Sequence, residues 1–365
     1  MSNDARVLRW DRGEATMQGL GAMLAPIVFR LPSGREVQPM QIAPWADEPG
    51  AAELPGVLRR LRGEWPCAPF GVTPDSVPSD WPQGLRGEAG EEAHGYGSNN
   101  EWALGQSPDG ALTAHIDYPA TSPIRRLERR VAASAGEARV KIELTIVTRR
   151  ACRLPIGLHP TFRLPAETGA ARLDPGAHDA VWTYPLDISP TATLFAPNSR
   201  GVGIEAVPAI GGGARDATRL PFVEDSENLL MLTGARGRCA LDNTGEGYRV
   251  VLEWNPAHFP SLMLWMSNRG RQFAPWNGRH LALGVEPVCA PFDLGTGFAN
   301  AEGSVFTGSP SFAATFSGTG VSAVFGSACR LCAQAFTFTG LGAGMGSLLS
   351  VYPPSASSPP SPSSA

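Results

Sequence analysis

The chain has 365 residues, 42% of them hydrophobic, enough to bury a large core as one big β domain or two ordinary ones. A formal charge of -4 argues against a polyanionic partner, so no nucleic acid is expected. No signal-peptide core opens the sequence and no apolar run is long enough to span a bilayer, so a cytoplasmic protein without membrane contact is expected.

Residues 17–31 are apolar and followed by Pro32-Ser33-Gly34, which predicts a strand and a turn. Arg59, Arg60 and Arg62 precede a loop of turn residues holding Trp65 and Phe70. Rings on such a loop suit the apolar face of a sugar or tuck into the core. His94, between Ala93 and Gly95, leads into Gly97, Asn99 and Asn100, a polar loop with small neighbours able to wrap a polyhydroxylated ligand or to form a plain turn.

Period-two alternation then predicts half-buried antiparallel strands over 112–118, 140–146 and 248–254, with a turn at 243–247 and a fully apolar strand over 262–266. His115 falls on the polar face of the first of these. Arg125, Arg126, Arg129 and Arg130 read as a solvated strand edge; Lys141 is the only lysine, and the arginine excess is attributed to genomic base composition. Gly 42 and Pro 34 leave few windows for helix periodicity. Many short strands with frequent turns predict an all-β chain, a large antiparallel β-sandwich.

Two stretches carry the chemistry. In Leu154-Pro155-Ile156-Gly157-Leu158-His159-Pro160, the leucines and Ile156 share a buried face, leaving Gly157 and His159 on the other. In Leu281-Ala282-Leu283-Gly284-Val285-Glu286-Pro287 the same pattern sets Gly284 and Glu286 opposite Leu283 and Val285. Each time an ionisable group follows a bare glycine and precedes a ladder-breaking proline, at a strand end where sites are built. Together they make an acid and a base if the fold unites them; His159 alone also reads as a strand cap. A metal reading of His94, His159 and Glu286 lacks any short-spaced ligand pair.

Six cysteines scattered through a long chain fit reduced thiols, and Cys329-x-x-Cys332 has no second pair or nearby histidine to make it a metal or redox site. Beyond Asn300 the only charged residues are Glu302 and Arg330, and residues 353–365 are only Pro, Ser and Ala. Residues 1–298 therefore read as the folded domain, and 299–365 as a poorly ordered tail, an out-of-frame stretch of a GC-rich gene or a flexible linker.

His94-Gly95, Gly157-Leu158-His159-Pro160-x-Phe162 and Gly284-Val285-Glu286-Pro287, in this order on an all-β background, resemble the aldose 1-epimerase (galactose mutarotase) family over roughly residues 15–298. The resemblance implies a large antiparallel β-sandwich, a hexose or hexose phosphate as small-molecule partner, and no cofactor or metal. It implies Glu286 as general base, His159 as general acid across the sugar ring and His94 as an assisting or sugar-binding histidine. Asn99, Trp65, Arg62 and Asp242 are the candidate substrate-binding residues. A glutamate near its usual pKa of about 4.3 would be ionised at neutral pH and a histidine near about 6.5 partly protonated. A non-catalytic carbohydrate-binding or sensing sandwich would use the same loops without an acid and base.

Overall fold

The computed structural model describes residues 5–88, 90–188, 191–201 and 203–299, together with short strands at Ala314–Phe316, Ala323–Val324, Phe336–Phe338 and Leu348–Tyr352. The protein is almost entirely β, and its principal strands pair antiparallel, as the alternating sequence predicts.

Two large sheets face each other. One has eight strands and runs Arg200–Gly201, Ala180–Thr183, Ser226–Thr233, Ser261–Asn268, Leu281–Cys289, Ile156–Leu158 and Pro66–Cys67, with Thr161–Arg163 also paired to Leu281–Cys289. The other has eleven strands and includes Arg238–Asn243, Tyr248–Glu253, Arg139–Thr148, Ile124–Ala133, Leu112–Asp117 and Ala103–Gln106. Leu112, Leu127, Val131, Ile142 and Leu144 from the larger sheet pack on Leu230, Leu232, Leu262, Leu264, Leu283 and Val285 from the smaller, in one continuous core. Alternation along the strands of the larger sheet is what sends these side chains to one face.

The smaller sheet is buried on its far side as well. Met231, Met263 and Trp265 point away from the main core and join Trp45, Trp65, Trp276 and Phe292 in a second cluster supplied by loops. Burial on both faces explains why Ser261–Asn268 reads as uninterrupted apolar text rather than as alternation. It also means that any polar side chain on the second face of this sheet is withdrawn from water.

One sequence expectation is corrected. The arginine-rich segment lies within Ile124–Ala133, an interior strand flanked on both sides, not a sheet edge. Arg129 points inward, where it pairs with buried Glu64 and donates to Ala22 O at 3.0 Å, while Arg126 grips Asp117 through two 2.7 Å hydrogen bonds. Segments Phe336–Phe338 and Leu348–Tyr352 lie between Arg139–Thr148 and Tyr248–Glu253 and link the two halves of the larger sheet. The expectation for the rest of 299–365, including Cys329 and Cys332, falls outside the described residues. No helix among the described residues is long and apolar enough to cross a membrane.

Candidate active site

The two proline-terminated motifs are neighbours in one ladder. Ile156 and Gly157 pair with Cys289 and Val288, and Thr161 to Arg163 pair with Gly284 to Ala282, in a single antiparallel register. In that register His159 falls opposite Glu286. The ladder opens between the paired segments because Pro160 and Pro287 lack N–H groups; Val285 N donates to Pro160 O at 2.8 Å and His159 N donates to Trp65 O at 3.0 Å. The second of these bonds sets Trp65 beside His159, and the rings stack with centroids 4.1 Å apart at 17°.

Each glycine has a definite use, and neither clears space for a ligand. A Cβ on Gly284 would stand 2.4 Å from Glu286 Oε1 and 3.0 Å from Trp265 Cβ, so the glycine lets the carboxyl fold back along its own strand. A Cβ on Gly157 would lie 2.3 Å from the Phe70 ring, so that bare position is filled by Phe70, which is wholly buried.

His159 Nε2 and Glu286 Oε1 stand 3.4 Å apart, the histidine 4% and the glutamate 0% exposed. Thr161 Oγ1 donates to His159 O at 3.4 Å and lies 3.2 Å from His159 Nδ1. With its proton committed there, the Thr161 oxygen accepts from Nδ1–H, which leaves Nε2 bare toward the glutamate. Both Glu286 oxygens lack a hydrogen-bond partner among the described residues, as do Trp65 Nε1, His94 Nδ1 and Asp293 Oδ1. Buried polar atoms in native proteins are nearly always satisfied by protein, water or ligand, and these donors and acceptors are left by the protein's own groups for water or a ligand to meet.

These groups line one cavity of about 510 Å³ with Leu229, Met263, Trp265 and Trp276 as apolar walls. Burial raises the Glu286 pKa well above the usual carboxylate range, with Asp293 adding to the rise. Burial also drives His159 well below the usual imidazole value, helped by His94 and His280. His94 is lowered for the same first reason. Desolvation therefore works against a carboxylate and a charged imidazole at these two positions and toward a neutral carboxylic acid beside a neutral imidazole.

Of the other sequence candidates, the structure brings His94 and Trp65 to the cavity and leaves three outside it. His94, held at φ 61°, meets His159 edge to face at 5.2 Å and Phe70 at 5.3 Å. Asn99 braces the loop instead of lining the cavity: it donates to Ala93 O and Gly95 O on either side of His94 and accepts from Val57 N. Arg62 is buried away from the cavity, donating to Arg60 O and Asp47. Asp242 lies on the larger sheet, locked to Arg249 across the Arg238–Asn243 and Tyr248–Glu253 pair.

Other residues complete the wall. Arg271 approaches Glu227 at 3.0 Å and stacks over Trp276 at 4.4 Å, while Glu227 also accepts from Trp265 Nε1. Asp293 and Tyr184 are neighbours on the lining, and after burial itself Asp293, by its charge and a side-chain hydrogen bond, adds to a strongly raised Tyr184 hydroxyl pKa. These come from strand ends and loops without a motif. One signal was available: Glu227 is a carboxylate inside Ser226–Thr233, a strand buried throughout. Among the described residues no group of three His, Cys, Asp or Glu side chains is arranged to hold a metal ion.

No family model matches the sequence, and no curated protein matches it. Solved structures do match in shape. A protein from Synechocystis superposes with a TM-score of 0.60 at 13% identity, covering 97% of each chain. A galactose mutarotase-like protein from Lactobacillus casei gives 0.52 at 15% identity, covering 95% of this chain and 99% of its own. A galactose mutarotase related enzyme from Lactobacillus acidophilus gives 0.50 at 13% identity, covering 87% and 93% respectively. The likeness is one of fold: the chain has the β-sandwich architecture of galactose mutarotase-like proteins.

Proposed function

We propose that this chain is an aldose 1-epimerase-like isomerase that interconverts the α and β anomers of a hexose by general acid and base ring opening. Glu286 takes the proton of the anomeric hydroxyl and His159 delivers one to the ring oxygen. The C1 to ring-oxygen bond breaks, the aldehyde turns, and closure on its other face returns both protons. The cycle is redox-neutral and uses no cofactor. The two reacting oxygens are bonded to the same carbon, so acid and base belong side by side and not across the ring. The observation that carries the reading is the cross-strand His159 and Glu286 pair at 3.4 Å on the floor of a cavity with unmet polar atoms.

Because burial favours the neutral pair, one proton serves both groups. Moving it from Glu286 to His159 creates the ionised pair, and an incoming hydroxyl that hydrogen-bonds the carboxylate favours that form. His94, edge-on to His159, assists by ordering the ring or binding a hydroxyl.

The neutral resting state also suits a second reading, a sugar-binding or sensing protein that does no chemistry. Polarimetry on freshly dissolved α-glucose and α-galactose separates the two. The enzyme reading expects faster decay of rotation with the native protein, and a loss of about 10²–10⁴-fold in Glu286→Gln with sugar binding retained. Unaltered catalysis in that variant refutes the assignment of the base; binding without any acceleration by the native protein favours the sensor.

A further inference from the structure

Toward solvent the cavity changes character. Its floor is made by buried residues, Trp65, His159, Glu286 and Met263. The half-buried and exposed lining residues, which form its mouth, are largely aliphatic or aromatic: Val57 and Leu58 from the short helical turn Gly56–Arg59, Leu186 and Ile188 from the loop after Ala180–Thr183, and Phe273 from the loop after Ser261–Asn268. Phe273 is 47% exposed and is the only aromatic among the exposed large hydrophobics of the described residues. Three loops distant in sequence thus bring apolar side chains to one rim. Carbon at such a rim gives a hydroxyl no hydrogen bond in exchange for the water it displaces.

The charges point the same way. Arg271 is the only arginine or lysine lining the cavity among the described residues, and it is engaged with Glu227 at 3.0 Å and with the faces of Trp276 and Trp265. Of the other acidic residues on the lining, Asp187 and Asp293 bring carboxyl groups, and Glu286 is the desolvated acid of the floor. Of the arginines near the rim in sequence, Arg59 donates to Gly56 O and Asn99 O, Arg62 donates to Arg60 O and Asp47, and Arg60 is exposed and not part of the lining. No uncommitted cation among the described residues of the lining waits for a phosphate, and an anion would meet carboxylates.

Resting on the reading of the floor as the seat of an anomeric carbon, we propose that the substrate is a neutral reducing aldose bearing an apolar group on the edge remote from C1, not a sugar phosphate. Val57, Leu58, Leu186, Ile188 and Phe273 form the subsite for that group. A cavity of about 510 Å³ lies within the usual range for drug-sized ligands, so it accommodates a pyranose ring and a substituent together. With C1 at the floor, the remote edge of the ring emerges among these five side chains.

The test pairs a binding readout with a catalytic one. Quenching of the cavity tryptophans gives affinities for glucose, its O4 and O6 butyl ethers and glucose 6-phosphate, and polarimetry follows mutarotation of the same sugars. At least one ether is expected to bind about tenfold more tightly than glucose, and the phosphate less tightly. In Phe273→Ala the ratio of ether to glucose affinity falls toward one. The proposal is overturned if the phosphate binds as well as glucose, if neither ether gains, or if Phe273→Ala keeps the full gain. Tighter ether binding without accelerated mutarotation upholds this subsite and removes the isomerase reading; accelerated mutarotation with a preference for the phosphate does the reverse.

Discussion

Two hollows of nearly equal size lie on different sheets of this protein, and only one has the makings of a site. The first, about 510 Å³, is floored by His159 and Glu286. The second, about 540 Å³, lies along the outer side of the larger sheet and is lined by Thr113, His115, Arg126, Glu128, Arg130 and Glu143. Both offer a histidine and a glutamate as cross-strand neighbours, since His115 pairs in register with Glu128. They differ in what surrounds the pair. On the outer sheet Arg126 is held by Asp117, Arg130 reaches Glu143 at 3.6 Å, and Lys141 reaches Glu143 at 2.5 Å, all in contact with water. In the inner hollow both Glu286 oxygens are buried and unpartnered. Desolvation, not volume or residue type, is what displaces the pKa values of the inner pair.

The largest expected contrast is in the pH dependence of catalysis. An acid and base sharing one proton lose activity when a second proton arrives and again when the last one leaves. With His159 driven down and Glu286 driven up, these limits move apart and kcat/KM should hold a broad plateau through neutrality. A narrow bell confined between about 4.3 and 6.5, the ordinary glutamate and histidine values, would show that the inner pair is as solvated as the outer one.

Next in size is a stability effect of opposite sense from the loss of activity. Glu286 has a folded pKa above its unfolded value, so the stability its neutral form contributes is complete below about 4.3 and is lost as pH rises through the raised folded value. His159 works in the other direction: its depressed pKa contributes stability present above about 6.5 and lost as pH falls through the folded value. Glutamine at 286 has no proton to release. Glu286→Gln should therefore gain on the native protein as pH rises, by a few degrees in Tm at alkaline pH, about 2–4 °C per kcal/mol. Scanning calorimetry from acid to alkaline pH checks this; a constant difference would mean that Glu286 is not desolvated in solution.

How far the inner hollow was legible in the sequence follows from the same physics. The strands over 112–118, 140–146 and 248–254 were readable because one face meets water, and observed strands Leu112–Asp117, Arg139–Thr148 and Tyr248–Glu253 match them closely. The His159 and Glu286 motifs were readable because proline and glycine mark backbone breaks, although the glycines make room for Phe70 and for the Glu286 carboxyl itself. Arg271, Asp293 and Tyr184 were not readable. They are brought to the cavity by the packing of loops on the second face of the smaller sheet, and no local pattern encodes which loop covers which strand. Arg62 and Asp242 were named for a sugar-binding arginine and aspartate with no motif to place them, and each is engaged by a neighbour: Asp47 for the first, Arg249 for the second.

The smallest expected effect is the sharpest test of the comparison, because it is an expected absence of change. His115 is exposed and Glu128 has half its side-chain surface in water, its nearest cation being Arg126 at 3.9 Å. Exposed pairs of this kind contribute about 0–1 kcal/mol, and their loss leaves no buried charge behind. A double variant, His115→Ala with Glu128→Gln, should keep the native Tm within about 2 °C and leave mutarotation and its pH profile as they are. The contrast with Glu286→Gln bears on the environment, since the outer variant makes the same carboxylate-to-amide change and removes the histidine besides, in a hollow that water reaches. A large loss of activity in the outer variant would transfer the chemistry to the larger sheet and leave the inner pair a buried structural contact.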